Sequence, residues 1–312
     1  MRFIFLFIDG IGIGSHNENN PFVSADPKIL RLWERSAFNC NNIRLKAIDP
    51  LLGVQGTPQS ATGQTTIFTG INIPELLTKH IGSFPNKIMR KIIREENLLL
   101  KVEKSGKTGK FINAYPHHSE LFSNSHVNID EEGNLVFSNQ FPDIYKRRIS
   151  VTSSILISNK VKPFDTIDIK EKRSLYQDYS NKSLLKYGLK LPVFSPEDAA
   201  DVLFKTSSDY DIVLYEFFQS DIYGHRKEKK DQIELISGLD LFISTLISLL
   251  DNKKDTIILT SDHGNLEDSS SKSHTLNPVP LITWGRGSRE LSDSIDDLAG
   301  ITPGILNFLN SG

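Results

Sequence analysis

Short, predominantly apolar runs punctuate the chain at Phe3 to Ile8, Lys110 to Ala114, Ile212 to Phe217, Thr256 to Thr260 and Pro280 to Trp284. They are rich in β-branched and aromatic residues and are bounded by polar turns, so each is predicted to be a strand buried on both faces. Between them the apolar period changes to that of a helix. In Asp231 to Leu250 the residues Ile233, Ile236, Leu239, Ile243, Leu246, Ile247 and Leu250 recur at three and four, which lays one greasy stripe along a helix. Ser195, Pro196 and Asp198 read as N-cap, first helical residue and capping-box partner of another. Thr302 and Pro303 read as the start of a last helix. Strands alternating with helices predict an α/β domain of three layers, a largely parallel sheet with helices on both faces.

The alternation weakens between His117 and Pro192, where Ser, Asn, Lys and Asp accumulate around Ser119 to Gly133 and Asn159 to Lys172. Residues 117–195 are therefore read as a small inserted cap, and 1–116 with 196–312 as the core. A chain of 312 residues is long enough to bury such a core without cross-links. Lysine and arginine number 36 against 38 aspartates and glutamates, a net charge of −2, which provides no long-range field for nucleic acid or anionic lipid. Cys40 is the single cysteine, which excludes internal disulfides and a thiolate metal cage and points to a reducing, cytoplasmic setting. The apolar opening stops at Asp9, with no cleavage site of the secretory type after it. In Leu235 to Leu250, Ser237, Asp240, Ser244 and Ser248 interrupt the apolar stretch on a helical period, so no membrane span is expected.

Chemistry collects at the strand ends. Asp9 follows the first run and is trailed by Gly10, Gly12 and Gly14. Alone this is an Asp-Gly turn, and it lacks the last glycine spacing of a dinucleotide loop. Asp221 and His225 lie four apart, which puts a carboxylate and an imidazole on one helix face, as ligands or as a plain ion pair. Asp262 and His263 follow the Thr256 run, and His274 comes eleven residues after His263. Three carboxylates and three imidazoles in loops at strand ends make a joint case for metal that none makes alone. That donor mix suits zinc or manganese rather than calcium. Ser60 reads as the N-cap of a helix, a position that also attracts phosphate. His16, His80, His117, His118 and His126 read as ordinary surface or packing residues.

Phe7-Ile8-Asp9-Gly10, the Thr57 to Gly70 segment around Ser60, Asp221 to Arg226, Thr260 to Asn265 and Ser273-His274-Thr275 occur in the order found in the alkaline phosphatase superfamily. The chain resembles the branch containing the cofactor-independent phosphoglycerate mutases and phosphopentomutases. The resemblance implies one divalent ion, Mn2+ or Zn2+, held by Asp9, Ser60, Asp262 and His263, and a second held by Asp221, His225 and His274. Two such ions bring four positive charges against three carboxylates, so the site becomes neutral when Ser60 ionises. It further implies a phosphoserine at Ser60, with Thr62 as the fallback nucleophile, and a small phosphorylated metabolite as substrate.

The chain departs from the mutases at Gln64, where they carry a histidine, and in its short insert. A mutase must shield its intermediate from water, so these departures favour hydrolysis of a phosphomonoester or diester over phosphomutase activity on a phosphosugar or phosphoglycerate. A metal-stabilised binding protein without turnover is the reading from a different class. No nucleic-acid or membrane partner is expected, and the oligomeric state is not legible.

Overall fold

The computed structural model describes residues 1–33, 38–40, 42–116, 119–122, 126–226 and 228–311. His117 and His118, and the Cys40 side chain, lie outside what is described. The strands are β1 Phe3–Ile8, β2 Phe38–Cys40, β3 Ile43–Ile48, β4 Gly109–Phe111, β5 Val127–Ile129, β6 Leu135–Phe137, β7 Ile212–Phe217, β8 Thr256–Thr260 and β9 Val279–Gly285. Seven form one sheet in the order β2-β3-β9-β8-β1-β7-β4, and β5 and β6 form a separate antiparallel pair. β1, β4, β7 and β8 run parallel, whereas β9 is antiparallel to β8 and β3 antiparallel to β9.

Strand β1 is buried along its whole length because the sheet is covered on both sides. Ile4, Leu6 and Ile8 pack into the layer of helices Pro196–Thr206 and Lys229–Leu249, with Val202, Leu203, Leu239, Phe242 and Ile243. Phe3, Phe5 and Phe7 point the other way, to Ile67 and Phe68 of helix Ser60–Thr69 and to Ile301 and Ile305 of helix Ile301–Asn310. The alternation of strand side chains thus divides the core into two clusters, one on each face. Within 117–195, Val127, Ile129, Phe141 and Ile149 form a small cluster of their own, while Val151 and Ile155 join the main core.

The elements with the strongest patterns fall where they were read. β1, β7 and β8 match their apolar runs residue for residue, and the Ser195 capping box is formed, with Asp198 returning the bond. β4 is shorter than its run, ending at Phe111; beyond it the Asn113 side chain, rather than its backbone, pairs with Glu216, and Asn113 and Ala114 bridge to Leu175 and Phe164. β2 and β3 had no reading: β3 lies next to the sheet's edge and carries Arg44 and Lys46 on alternate positions. The last helix starts at Ile301, and Thr302 spends its hydroxyl on the Ile67 carbonyl.

Helix Lys229–Leu249 is long and apolar enough to cross a membrane by length and composition alone. Its apolar stripe is buried against the sheet, and its interrupting Asp240 has a structural task. The Asp240 carboxylate, 6 % exposed, accepts the backbone N–H groups of Lys28, Ile29 and Leu30 at 2.8, 2.8 and 2.9 Å. Asp240→Ala leaves those donors without their acceptor, and urea unfolding is expected to show a loss of about 2 kcal/mol with little change in the m-value.

Candidate metal centre

Topology gathers the candidate residues before any side chain is considered. β1 lies between its parallel neighbours β7 and β8, so the chain leaving all three emerges on one edge of the sheet. Asp9 directly follows β1, Asp262 and His263 follow β8, and Asp221 and His225 lie in helix Gln219–Arg226, just after β7. Because β9 is antiparallel to β8, its start faces the same edge and delivers His274 there. Gly10 makes the approach possible: its φ is +71°, and a Cβ there would meet the Asp221 Cβ at 2.7 Å.

Among the described residues two groups of ligand atoms result, each with all members within 4.8 Å of one another: Asp9, Asp262 and His263, and Asp221, His263 and His274. His263 belongs to both. His225 joins the second group, its Nε2 3.3 Å from Asp221 Oδ1 and 3.1 Å from His274 Nε2. Asp9, Asp262 and His263 are almost wholly buried. Burial, reinforced by the charges of Asp262, Asp221 and Glu216, holds the Asp9 carboxyl well above its ordinary range. Its Oδ1 has no hydrogen-bond partner although it is buried, an acceptor that a cation would satisfy. Burial also pushes Asp221 up, but the His274 hydrogen bond, the His263 charge and the Asn265 amide outweigh it and bring Asp221 down to about 2.

The three imidazoles are oriented alike. His263 Nδ1 faces the Gly264 carbonyl at 3.3 Å, His274 Nδ1 the Pro58 carbonyl at 3.0 Å and His225 Nδ1 the Lys272 carbonyl at 2.5 Å. A carbonyl only accepts, so each Nδ1 carries its proton and each Nε2 turns toward the carboxylates. The rings of His263 and His274 stack with centroids 3.6 Å apart. This is the arrangement in which an imidazole serves as a ligand, its second nitrogen fixed by an outer hydrogen bond.

Ser60 is the first residue of its helix and not the cap; Gln59 takes that position in extended conformation without a side-chain bond. Freed from capping, the Ser60 hydroxyl lies 3.0 Å from His263 Nε2. Thr62 is wholly buried and hydrogen-bonds the Gln59 and Ile81 carbonyls. A cleft of about 440 Å³ opens onto Ser60, Asp221, His225 and His274, and Thr57, Ser83 and Lys272 are among its other walls. His16, His80 and His126 stand apart, packed on Trp33 or bonded to Val54 and Ser138.

Several residues of the centre escaped sequence reading. Gln64, noted only as a departure, donates its amide to Asp262 Oδ2 at 3.0 Å and Asp9 Oδ2 at 3.4 Å. Asn265 donates to Asp221 Oδ1 at 2.8 Å. Glu267 is buried among the loops, and Glu216 is buried on β7 with Thr152 donating to its Oε2 at 2.7 Å and its Oε1 unpartnered. A lone glutamate inside an otherwise apolar run, Ile212 to Phe217, was the available signal for Glu216.

Burial raises the Glu216 carboxyl from 4.5 to about 8, the Thr152 bond opposing and the Asp262 charge adding. A raised carboxyl stabilises the fold fully below its unfolded value and loses that contribution as pH rises through the folded one. Chelator-stripped protein is therefore expected to lose stability relative to its Glu216→Gln variant between about pH 5 and about pH 8. Thermal melts of the two proteins across that range check it.

Comparison with known proteins follows the same lines. Over 125 residues, 38 % of this chain and 24 % of the relative, the sequence is 31 % identical to the 2,3-bisphosphoglycerate-independent phosphoglycerate mutase of Mycoplasmopsis pulmonis. The matched part is thus about a quarter of that relative's length. Among solved structures, the PH0037 protein of Pyrococcus horikoshii aligns with a TM-score of 0.56 at 13 % identity, covering 100 % of this chain and 97 % of that one. The alkaline phosphatase of the Antarctic bacterium TAB5 aligns with a TM-score of 0.51 at 14 % identity, covering 100 % of this chain and 98 % of that one. At such identities the two structures show a shared fold. The family model described as Metalloenzyme superfamily matches residues 1–311, and the chain belongs to that superfamily.

Proposed function

We propose that the protein is a two-metal phosphoryl-transfer enzyme that uses Ser60 as nucleophile and hydrolyses a small phosphomonoester or phosphodiester. The observation that carries this reading is the convergence of three Nε2 atoms, each fixed by a carbonyl behind it, on the buried Asp9 and Asp262 and the half-buried Asp221, beside the Ser60 hydroxyl. The orphaned Asp9 Oδ1, and the burial and carboxylate repulsion that raise Asp9, fit a cationic occupant. Asp9, Asp262, His263 and Ser60 would hold one ion, and Asp221, His225 and His274 the other, with Mn2+ and Zn2+ both matching the donors. When bound, the ions supply the positive charge that favours ionised Ser60 and offsets charge on the phosphoryl group.

In the first step the Ser60 Oγ–P bond forms as the bond from phosphorus to the leaving oxygen breaks, and the proton lost by Ser60 ends on the leaving alcohol. In the second, water attacks phosphorus, the Ser60 Oγ–P bond breaks, one water proton returns to Ser60, and phosphate leaves when the substrate was a monoester or a phosphomonoester when it was a diester. The Thr62 and Gly63 N–H groups are taken by the Ile81 and Gln59 carbonyls, so at the start of this helix the Ser60 and Ala61 N–H groups would be the ones to meet phosphoryl oxygens. Thr62 is held by the Gln59 and Ile81 carbonyls, which supports Ser60 as the nucleophile. We read residues 117–195 as a small cap over the core, and a single cysteine and near-neutral charge as suited to a cytoplasmic enzyme of phosphorylated metabolites.

The phosphoglycerate mutase likeness favours a second reading, intramolecular phosphoryl transfer on a phosphosugar or phosphoglycerate. The exposed Lys272 and Ser273 at the cleft mouth favour hydrolysis, since they leave water a route to Ser60.

Ser60→Ala is expected to abolish the phosphoenzyme and to reduce turnover by about three orders of magnitude or more. Trapping followed by phosphopeptide mapping checks the first part, and phosphate on Thr62 would overturn the assignment. With the metal-loaded enzyme and a panel of phosphorylated metabolites, free phosphate is expected. Positional isomers without phosphate release would establish the mutase instead.

A further inference from the structure

We propose that Glu267 is the positioning residue of the centre, a carboxylate that locks the three ligand-bearing loops in one mutual geometry; the inference rests on the two-ion reading above. Glu267 is 1 % exposed, and the hydrogen bonds its carboxylate accepts come from residues outside the ligand set. Its Oε2 accepts the backbone N–H of Gly12 at 2.9 Å, from the Asp9 loop, and that of Asn265 at 2.8 Å, from the Asp262–His263 loop. Its Oε1 accepts the Thr275 hydroxyl and the Asn277 amide, the latter at 3.0 Å, both from the loop that carries His274. Four donors from three loops meet on two oxygens.

Only a carboxylate answers that demand. All four partners donate, so a glutamine would set its own NH2 against two of them, and shortening the side chain to aspartate would leave it out of reach of one loop or another. The surrounding backbone is cut to receive it. A Cβ on Gly12 would stand 2.4 Å from Glu267 Oε1, and one on Gly264 would stand 2.2 Å from the same atom. The glycines after Asp9 and His263 thus have a purpose that their turn-forming habit does not explain. They admit the clamp between two loops. Backbone bonds run alongside, from Leu266 N–H to the Gly10 carbonyl and from Thr275 N–H to the Gly264 carbonyl. They hold the loops in pairs, while the carboxylate joins all three.

The test titrates the full-length, chelator-stripped protein with Mn2+ alone by calorimetry, with the unfolding midpoint of each stripped variant measured beside it. Glu267→Gln is expected to weaken Mn2+ binding by about 10- to 100-fold, the range for losing an outer hydrogen-bond partner of a metal site. Thr275→Val, isosteric but without the hydroxyl, is expected to lose about tenfold, and Thr275→Ser to stay within about threefold of wild type. A residue that merely supports folding would lower the midpoint and leave affinity unchanged. If Glu267→Gln fails to fold, the Val and Ser variants at Thr275 decide the matter. Wild-type binding with unaltered affinity in Thr275→Val and Glu267→Gln overturns the clamp alone. No saturable binding by wild type overturns the two-ion reading and the clamp with it.

Discussion

Carboxylates held together away from water are the constraint on which the rest of this structure depends. Asp9, Asp262 and Glu216 are buried within electrostatic reach of one another, and Asp221 lies close enough to add to their repulsion. Separating them would be easy in a flexible chain. Here they are attached to β1, β7 and β8, neighbouring parallel strands whose order in the sheet brings their ends together. The protein offsets part of the cost with neutral donors: the Gln64 amide between Asp9 and Asp262, and the His263 backbone N–H on Asp262 Oδ1 at 3.1 Å. What remains unbalanced, above all Asp9 Oδ1, is the charge a cation would meet.

The same economy governs the imidazoles. Each is oriented by a main-chain carbonyl, and two of those carbonyls belong to distant segments. Pro58 precedes the Ser60 helix and holds His274, while Lys272 holds His225 from the loop before β9. The Ser60 segment and the loops that carry the imidazoles are therefore mechanically linked. A displacement of one alters the lone-pair direction of another. Gln64 and Ser60 lie one turn apart on the same helix, so a single rigid element presents both the hydroxyl and the amide that separates the carboxylates.

What the residues alone determined was the part governed by local rules. Continuous apolar runs located β1, β7 and β8 because a strand buried on both faces has no polar alternation to confuse it, and the Ser195 cap was legible because capping is settled within four residues. The seven candidate residues stood out because each lies at the end of such a run or in a short motif, and their likeness to the alkaline phosphatase superfamily named a chemistry. Only the tertiary structure decided the rest. Ser60 lies inside its helix rather than capping it, which depends on the path of Gln59. Asp240, read as a mere interruption of an apolar stretch, anchors a loop more than two hundred residues away in sequence. Glu216, Glu267 and Asn265 acquire their roles from donors and charges contributed by other segments. No periodicity encodes those partners, because a hydrogen bond between distant loops leaves no spacing in the chain that forms it.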